Sequence, residues 1–315
     1  MNGSSETKTP DLWSDYWRSG QLHACTFDFP EEAREAIAAR WRKEFSALPS
    51  GATILDVATG SGALIALAAE VAGPDRHLSA TGVDLAEIDQ LKDTGLTASA
   101  EFDITFLGGT DAARLPFEDR QFTLVVSQFG LEYADFESAM NEACRVAKAK
   151  IVALMHAAES PVVRQNGLIP GQVHWLRSEL ALFDAAREHF QKATDKTGNR
   201  LTEISAAIRK KCASLENPDF LVSVSKYVGQ LLGRSATLGD GQGLAFLDAM
   251  EAQLVIQADL MTALIEAARS EADLALARDI CAAAGYNSVN VSGEYFGREP
   301  QLVGHWLSAE REPHD

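Results

Sequence analysis

The chain alternates between short apolar runs and longer segments whose apolar residues recur at helical spacing. Ala52-Thr53-Ile54-Leu55 is one such run. It stops at Asp56 and a glycine turn, Gly60-Ser61-Gly62, and leads into an alanine- and leucine-rich stretch over 63–71. This reads as strand, tight turn and helix. Residues 78–85 read as a second strand ending in Asp84, 104–107 as a third, 122–129 as a fourth and 150–155 as a fifth. The fourth is apolar over several consecutive positions, as expected for a strand buried on both faces of a parallel sheet. Residues 272–284 read as a helix closed by Gly285, which suits a left-handed cap. After it, 288–296 and 302–309 read as two strands around Gly297-Arg298-Glu299-Pro300.

The flanking segments are helical in pattern. Residues 1–10 are polar and read as a disordered lead. Trp13, Tyr16 and Trp17 stand at i, i+3 and i+4 and form one helical stripe. Pro30-Glu31-Glu32 opens a helix through Leu48, with proline suited to the first turn and acids to the helix N-terminus. Pro49-Ser50-Gly51 ends it. Between the fifth and sixth strands, residues 161–269 exceed any short crossover and read as helices over 174–193, 201–215, 220–232 and 244–269. Breaks are expected at 195–199, at Asn217-Pro218 and at 239–243. In the last helix Leu244, Leu247, Met250, Leu254, Ile256, Leu260, Met261 and Leu264 spread widely around the axis. Such breadth predicts burial, with a second subunit as one candidate for what covers it.

Composition narrows the class. Apolar residues make up 46% and charged residues 23%, which is globular. The net charge of −17 repels phosphate backbones and anionic membranes, so neither nucleic acid nor membrane is an expected partner. Arg40-Trp41-Arg42-Lys43 and Arg209-Lys210-Lys211 are basic but read most simply as solvated helix faces. Cys25, Cys144, Cys212 and Cys281 are scattered without a C-x-x-C, so no metal site and no redox pair is expected. With a polar N-terminus and no long apolar run, a soluble cytoplasmic protein with reduced thiols is expected.

The glycine turn carries the chemistry. A turn without Cβ atoms lets a nucleotide-like ligand approach the backbone. Gly60 and Gly62 begin a G-x-G-x-x-G pattern, but Ile65 occupies the third glycine position, and Asp56 is not part of a dinucleotide fingerprint. Asp84 follows the turn at the distance from which an acid accepts hydrogen bonds from ribose hydroxyls, although it also suits the cap of a helix starting at Leu85. His156, ending the fifth strand, is a candidate general base and equally a packed, hydrogen-bonded histidine.

Asp56-Val57-Ala58-Thr59-Gly60-Ser61-Gly62 resembles the first motif of class I S-adenosyl-L-methionine-dependent methyltransferases, D-x-G-x-G-x-G. Its closest flavour is the quinone-biosynthesis type, which often carries D-V-A-T-G; Ala58 replaces the first glycine. Asp111-Ala112-Ala113-Arg114-Leu115-Pro116-Phe117 is similar to the family's D-A-x-x-L-P-F. The resemblance spans about 50–160 and 270–311. It implies an α/β, doubly wound, Rossmann-like seven-stranded sheet, six strands parallel and the seventh antiparallel, with the helical segment inserted as a cap.

It also implies roles. S-adenosyl-L-methionine would be bound by Asp56, Ala58, Thr59, Gly60 and Gly62, by Asp84 and Leu85, by Asp111 and Ala112 against the adenine, and by Gln128. The resembled W-x-x-Y-W segment would bring Tyr16 to the cofactor carboxylate, or simply dock the first helix on the core. Glu132 and Tyr133 fall where the family lines the methyl end and substrate mouth, and with His156 they are the catalytic candidates. The implied organisation is 1–49 closing over the cofactor, 50–160 with 270–315 as the core, and 161–269 as a lid, substrate or dimer element. The expected activity is methyl transfer to a small, partly apolar metabolite. A protein or peptide acceptor, or a non-catalytic cofactor-binding module, stays open.

Overall fold

The computed structural model describes residues 9–18, 29–73, 76–88, 102–233 and 235–312. It divides into two compact units, one running to Val163 and resuming at Glu266, the other Arg164–Ile265. The first begins with α1 (Thr9–Arg18) and α2 (Glu31–Ser46). It continues through β1 (Thr53–Val57), α3 (Ala63–Val71), β2 (Leu78–Val83), β3 (Phe102–Leu107) and β4 (Phe122–Gln128). A 3-10 turn at Leu131–Tyr133, α4 (Phe136–Val146) and β5 (Ala147–Met155) follow. The chain then runs through α5 (Pro161–Asn166), α6 (Ile169–His174), a π turn at Trp175–Glu179, α7 (Leu182–Gln191) and α8 (Asp195–Cys212). After α9 (Asp219–Gly233) and α10 (Ser235–Ala267) it returns with α11 (Glu271–Ala283), β6 (Ser288–Phe296) and β7 (Gln301–Glu310).

One sheet of seven strands runs in the order β3-β2-β1-β4-β5-β7-β6. Parallel pairing joins β3 through β5, and β7 is antiparallel to both β5 and β6. Six strands therefore point one way and β7 the other, which is the doubly wound, Rossmann-like architecture expected from the sequence. The order reverses at β1, so the crevice at the carboxyl ends of β1 and β4 is the topological switch point, where ligands bind in such sheets.

Strand periodicity explains why the sheet is covered on both sides. Side chains alternate between faces. Leu55, Val57, Val125, Ile151 and Ala153 share one buried cluster with Met140 of α4 and Leu274 of α11. Their neighbours Ile54, Leu124, Val126, Val152 and Leu154 share another with Trp41 of α2 and Ile65 of α3. Both clusters need apolar residues, so the central strands read as continuous apolar runs. The edge strand β6 has no fully buried residue and alternates instead. Helix ends are set locally: Asp135 caps α4 by accepting from Ser138 N–H, and Ser270 with Asp273 forms a capping box at α11.

The second unit has its own core, built from Leu176, Phe183, Ile208, Leu221, Leu247 and Leu254. It departs from the sequence expectations at three points. The break expected at 195–199 is the first turn of α8, because Thr194 and Thr197 form a reciprocal cap there. The break expected at 239–243 lies inside α10. Gly243 is there for close packing: a Cβ on it would collide with the Phe190 ring. The helix expected over 174–193 is interrupted by the π turn and by Ala181, whose φ of 47° is left-handed. On α10, Leu247 and Leu254 are buried while Phe246 is 67% exposed, so its broad apolarity is only partly covered within the chain.

Other boundaries agree within a few residues of the expected spans. Thr9 and Pro10 begin α1; the rest of the expected lead, 1–8, lies outside the described residues, as does Cys25. Cys144, Cys212 and Cys281 are free thiols. The basic patches are not bare charge: Trp41 is buried, Arg42 pairs with Glu35 and Glu70, and Lys211 lies over the Trp175 ring. No described helix is long and apolar enough to cross a membrane.

Leu124 is fully buried at the centre of the sheet. Truncating it leaves a cavity in rigid surroundings, so Leu124→Ala should lower the unfolding free energy by about 2–5 kcal/mol. Urea titration followed by circular dichroism checks this; a loss below about 1 kcal/mol contradicts the assigned core.

Candidate functional site

The crevice is built by the turn after β1. Ala58 takes a left-handed φ of 56°, a conformation that costs a non-glycine residue, at the position where the resembled motif has glycine. Gly60 and Gly62 follow with φ of 53° and 83°, and Gly62 caps α3. Asp56 is buried at the end of β1, and its Oδ2 accepts from Thr59 Oγ1 at 2.6 Å. Thr59 N–H donates to Val83 O at 2.9 Å, which ties the turn to β2.

Asp84 locks three loops together. Its Oδ2 accepts from Gly60 N–H at 2.8 Å and its Oδ1 from Ala86 N–H at 2.9 Å. Its backbone oxygen accepts from Thr110 N–H at 2.8 Å, reaching the loop after β3. The expected helix cap at Leu85 is thus a short turn closed by the Asp84 side chain. Burial raises the carboxyl proton affinity of Asp84, opposed by the Ala86 and Gly60 N–H groups. Burial pushes Asp56 up to about 7, with Thr59 opposing and the Asp84 charge reinforcing.

Beyond Asp84, Leu85 is 44% exposed, an apolar surface at the strand end. Asp111 is exposed, and its Oδ1 accepts from Ala113 N–H at 2.9 Å. Ala112 is half-buried against the core. The corner they begin is pinned by residues the sequence did not single out. Glu142 accepts from Leu115 N–H at 2.8 Å, and Arg145 donates to Leu115 O and Phe117 O while pairing with Glu142. Nothing in the local pattern of α4 marks these two, because their partners are remote in sequence.

From the other side, α1 lies over the glycine turn. The Trp17 indole occupies the space a Gly60 Cβ would need. Ser14 Oγ accepts from Glu87 N–H at 3.0 Å, and the Trp13 ring meets Tyr133 edge-on at 5.2 Å. Tyr16 stands edge-on to Trp17 at 5.1 Å. Gln128, expected at the cofactor, accepts from Trp41 Nε1–H through its Oε1 at 2.6 Å. It lines, with Ser61, Gly62, Ile37 and Leu67, a cleft of about 960 Å³ between α2 and α3. That cleft includes neither Asp84 nor Asp111, so it lies beside the switch-point crevice.

The ends of β4 and β5 hold the three catalytic candidates. Glu132 is fully buried and its Oε1 accepts from the His156 backbone N–H at 2.8 Å. The His156 ring is stacked on Phe129 at 4.4 Å and meets Tyr133 edge-on at 6.0 Å. Phe129 has a left-handed φ of 52°, a strained conformation that the sequence did not announce. Ser127 braces the turn, donating to Val57 O and accepting from Leu131 N–H. Arg269 N–H donates to His156 O at 2.8 Å. Two buried atoms, Glu132 Oε2 and His156 Nε2, have no hydrogen-bond partner among the described residues.

Burial sets both protonation states. It raises Glu132 to about 7, opposed chiefly by the His156 N–H, and lowers His156 to about 3. At neutral pH His156 is therefore an uncharged hydrogen-bonding group. A base this weak gains little from proton abstraction, so the general-base reading of His156 loses force.

Residues 54–150 match the model of a family described as methyltransferase domain. The match takes in the glycine turn, Asp84 and the 111–117 corner, and the cofactor this domain indicates is S-adenosylmethionine. No curated protein matches the chain. Among solved structures, magnesium protoporphyrin IX methyltransferase from Synechocystis PCC 6803, with bound S-adenosylhomocysteine, is 13% identical with a TM-score of 0.46, covering 96% of this chain and 98% of that one. The [4+2]-cyclase SpnF is 20% identical with a TM-score of 0.36, covering 48% and 59%. Geranyl diphosphate methyltransferase is 16% identical with a TM-score of 0.32, covering 39% and 46%. The chain spans about 60% of the length of the first solved structures it matches. At these scores none of them assigns a role to a residue of this chain.

Glu132 supplies a test of the buried site. Its proton is held to about pH 7 in the fold against an ordinary 4.5. The stabilisation from that proton is complete below about pH 4.5 and is lost as pH rises through about 7, on the order of 3 kcal/mol. Glu132→Gln keeps an acceptor for His156 N–H and removes the titration. Its stability should decline less than the wild type's between pH 4.5 and 7, the remaining fall belonging to Asp56, read by denaturant titration at several pH values; a pH profile parallel to the wild type contradicts the buried carboxyl.

Proposed function

We propose that this protein is an S-adenosylmethionine-dependent methyltransferase acting on a small, partly apolar metabolite, of the quinone-biosynthesis type that Asp56–Gly60 resembles. The observation that carries the reading is the Asp84 carboxylate at the end of β2, hydrogen-bonded to Gly60 N–H of the turn after β1, beside the β1–β4 switch point. The residues fit the cofactor. The glycine turn carries no Cβ at Gly60 or Gly62, with the Trp17 indole packed on Gly60 as a cover, Asp84 has acceptor capacity left for ribose hydroxyls, and exposed Leu85 and Asp111 offer an apolar and a polar contact for a flat base.

Bound S-adenosylmethionine supplies a methyl group on a positively charged sulfur. The chain's part is to bind, align and exclude water. Asp84 binds and orients. Trp13, Tyr16 and Trp17 of α1 cover the crevice. Phe129 and Tyr133 give the acceptor side an aromatic wall, and Glu132 Oε2 with His156 Nε2 offers it two polar atoms without a partner among the described residues. A largely apolar wall with few polar groups suits a small metabolite. The acidic surface, with a net charge of −17, argues against nucleic acid as acceptor.

Calorimetric titration with S-adenosylhomocysteine, with NADH as control, tests the cofactor. Micromolar binding of the first and none of the second is expected. Asp84→Ala should weaken binding by roughly 1.5–3 kcal/mol, about ten- to a hundred-fold. Unchanged affinity in that variant removes Asp84 from the site. His156→Ala should leave S-adenosylhomocysteine affinity within about two-fold while lowering turnover; parallel losses in both would make His156 a structural residue only.

A further inference from the structure

Outside the cofactor crevice, three side chains from distant parts of the sequence converge. Glu159 lies in the turn after β5, three positions beyond His156. Glu271 is the first residue of α11. His305 lies in β7 and pairs with Met155 of β5. Each offers one ligand atom, and the three atoms lie within 4.8 Å of one another. The His305 side chain is buried, and its Nε2 is 2.9 Å from Glu159 Oε1. The two glutamates reach the surface, so the cluster has a fixed nitrogen floor and an opening to solvent.

Chemistry, spacing, charge and rigidity all favour a cation here. One imidazole nitrogen with two carboxylate oxygens is a donor set that divalent first-row ions accept. Metal–ligand bonds of about 2.0–2.2 Å hold ligand atoms no more than about 4.4 Å apart, so small side-chain rotations would close the cluster on an ion. Among the described residues no Lys or Arg pairs with Glu159 or Glu271, and the converging carboxylates meet no other cation than His305 when protonated. The backbone is held on all sides. His305 sits between β5 and β6, the α11 start is fixed by the Ser270–Asp273 capping box, and Ala158 N–H donates to Arg269 O at 3.0 Å.

We propose that Glu159, Glu271 and His305 form a binding site for a divalent transition-metal ion, Zn²⁺ foremost. Three protein ligands leave at least one coordination position for water or an incoming oxygen. No sequence spacing announces the site, because the ligands come from three elements brought together only by the sheet and α11. The proposal stands independently of the methyltransferase reading.

The experiment uses the full chain, stripped of metal by chelator and dialysed, titrated calorimetrically with ZnCl₂. One equivalent per chain is expected. Glu159→Gln and Glu271→Gln alter exposed, isosteric positions and should keep the wild-type melting temperature. Each removes a direct ligand, which should weaken binding at least as much as losing an outer-sphere partner, about ten-fold or more. Co²⁺ substitution should give visible bands of an N,O set without a thiolate charge-transfer band, which separates this site from the free cysteines. Absence of Zn²⁺ binding, affinity unchanged in both variants, or a thiolate band overturns the proposal.

Discussion

Ile54 and Leu55 are neighbours in β1, point to opposite faces of the sheet, and are both buried. That two-sided burial is the constraint on which the rest depends. A parallel strand needs a crossover to reach its next partner; the crossover helix α3, joined by α2 from ahead of β1, covers one face, and α4 and α11 cover the other. With both faces covered, only the strand ends remain for a ligand. The reversal of strand order at β1 then opens the carboxyl edge at one place.

At that place the turns are held by backbone hydrogen bonds more than by side-chain packing. Asp84 receives N–H groups from two loops and offers its own carbonyl to a third. Charged acceptors make such bonds stronger, and burial raises the cost of leaving them unmade. The same carboxylate is thus the brace on which the shape of the crevice rests. Ala58 illustrates the tolerance of this arrangement. Its left-handed backbone is imposed by the surrounding turn, and its methyl group fits only because Gly130 opposite has no side chain.

The ends of β4 and β5 are governed by desolvation. Glu132 and His156 are shifted in opposite directions by the same burial, which favours the uncharged form of each; near neutral pH His156 is uncharged and Glu132 is close to its midpoint.

The sequence by itself determined the strands, their succession along the chain and the glycine turn after the first of them. Apolar runs such as 122–126 need burial on both faces wherever they lie, and Gly60, Gly62, Asp84 and Asp111 carry local chemistry readable at short range. Those residues were legible because their signal is the backbone conformation or acid they supply. The insertion was less legible. Gly243 reads as a breaker, yet it sits within α10 because the Phe190 ring needs its space, a contact no local pattern contains. The tertiary structure alone decided that Gln128 turns to Trp41, that Glu142 and Arg145 pin the 111–117 corner, and that His156 is stacked on Phe129 and held neutral. It alone also joined Glu159, Glu271 and His305. In each case the deciding quantity is a distance between segments remote along the chain, or the solvent that folding removes, and neither is written in any single stretch of sequence.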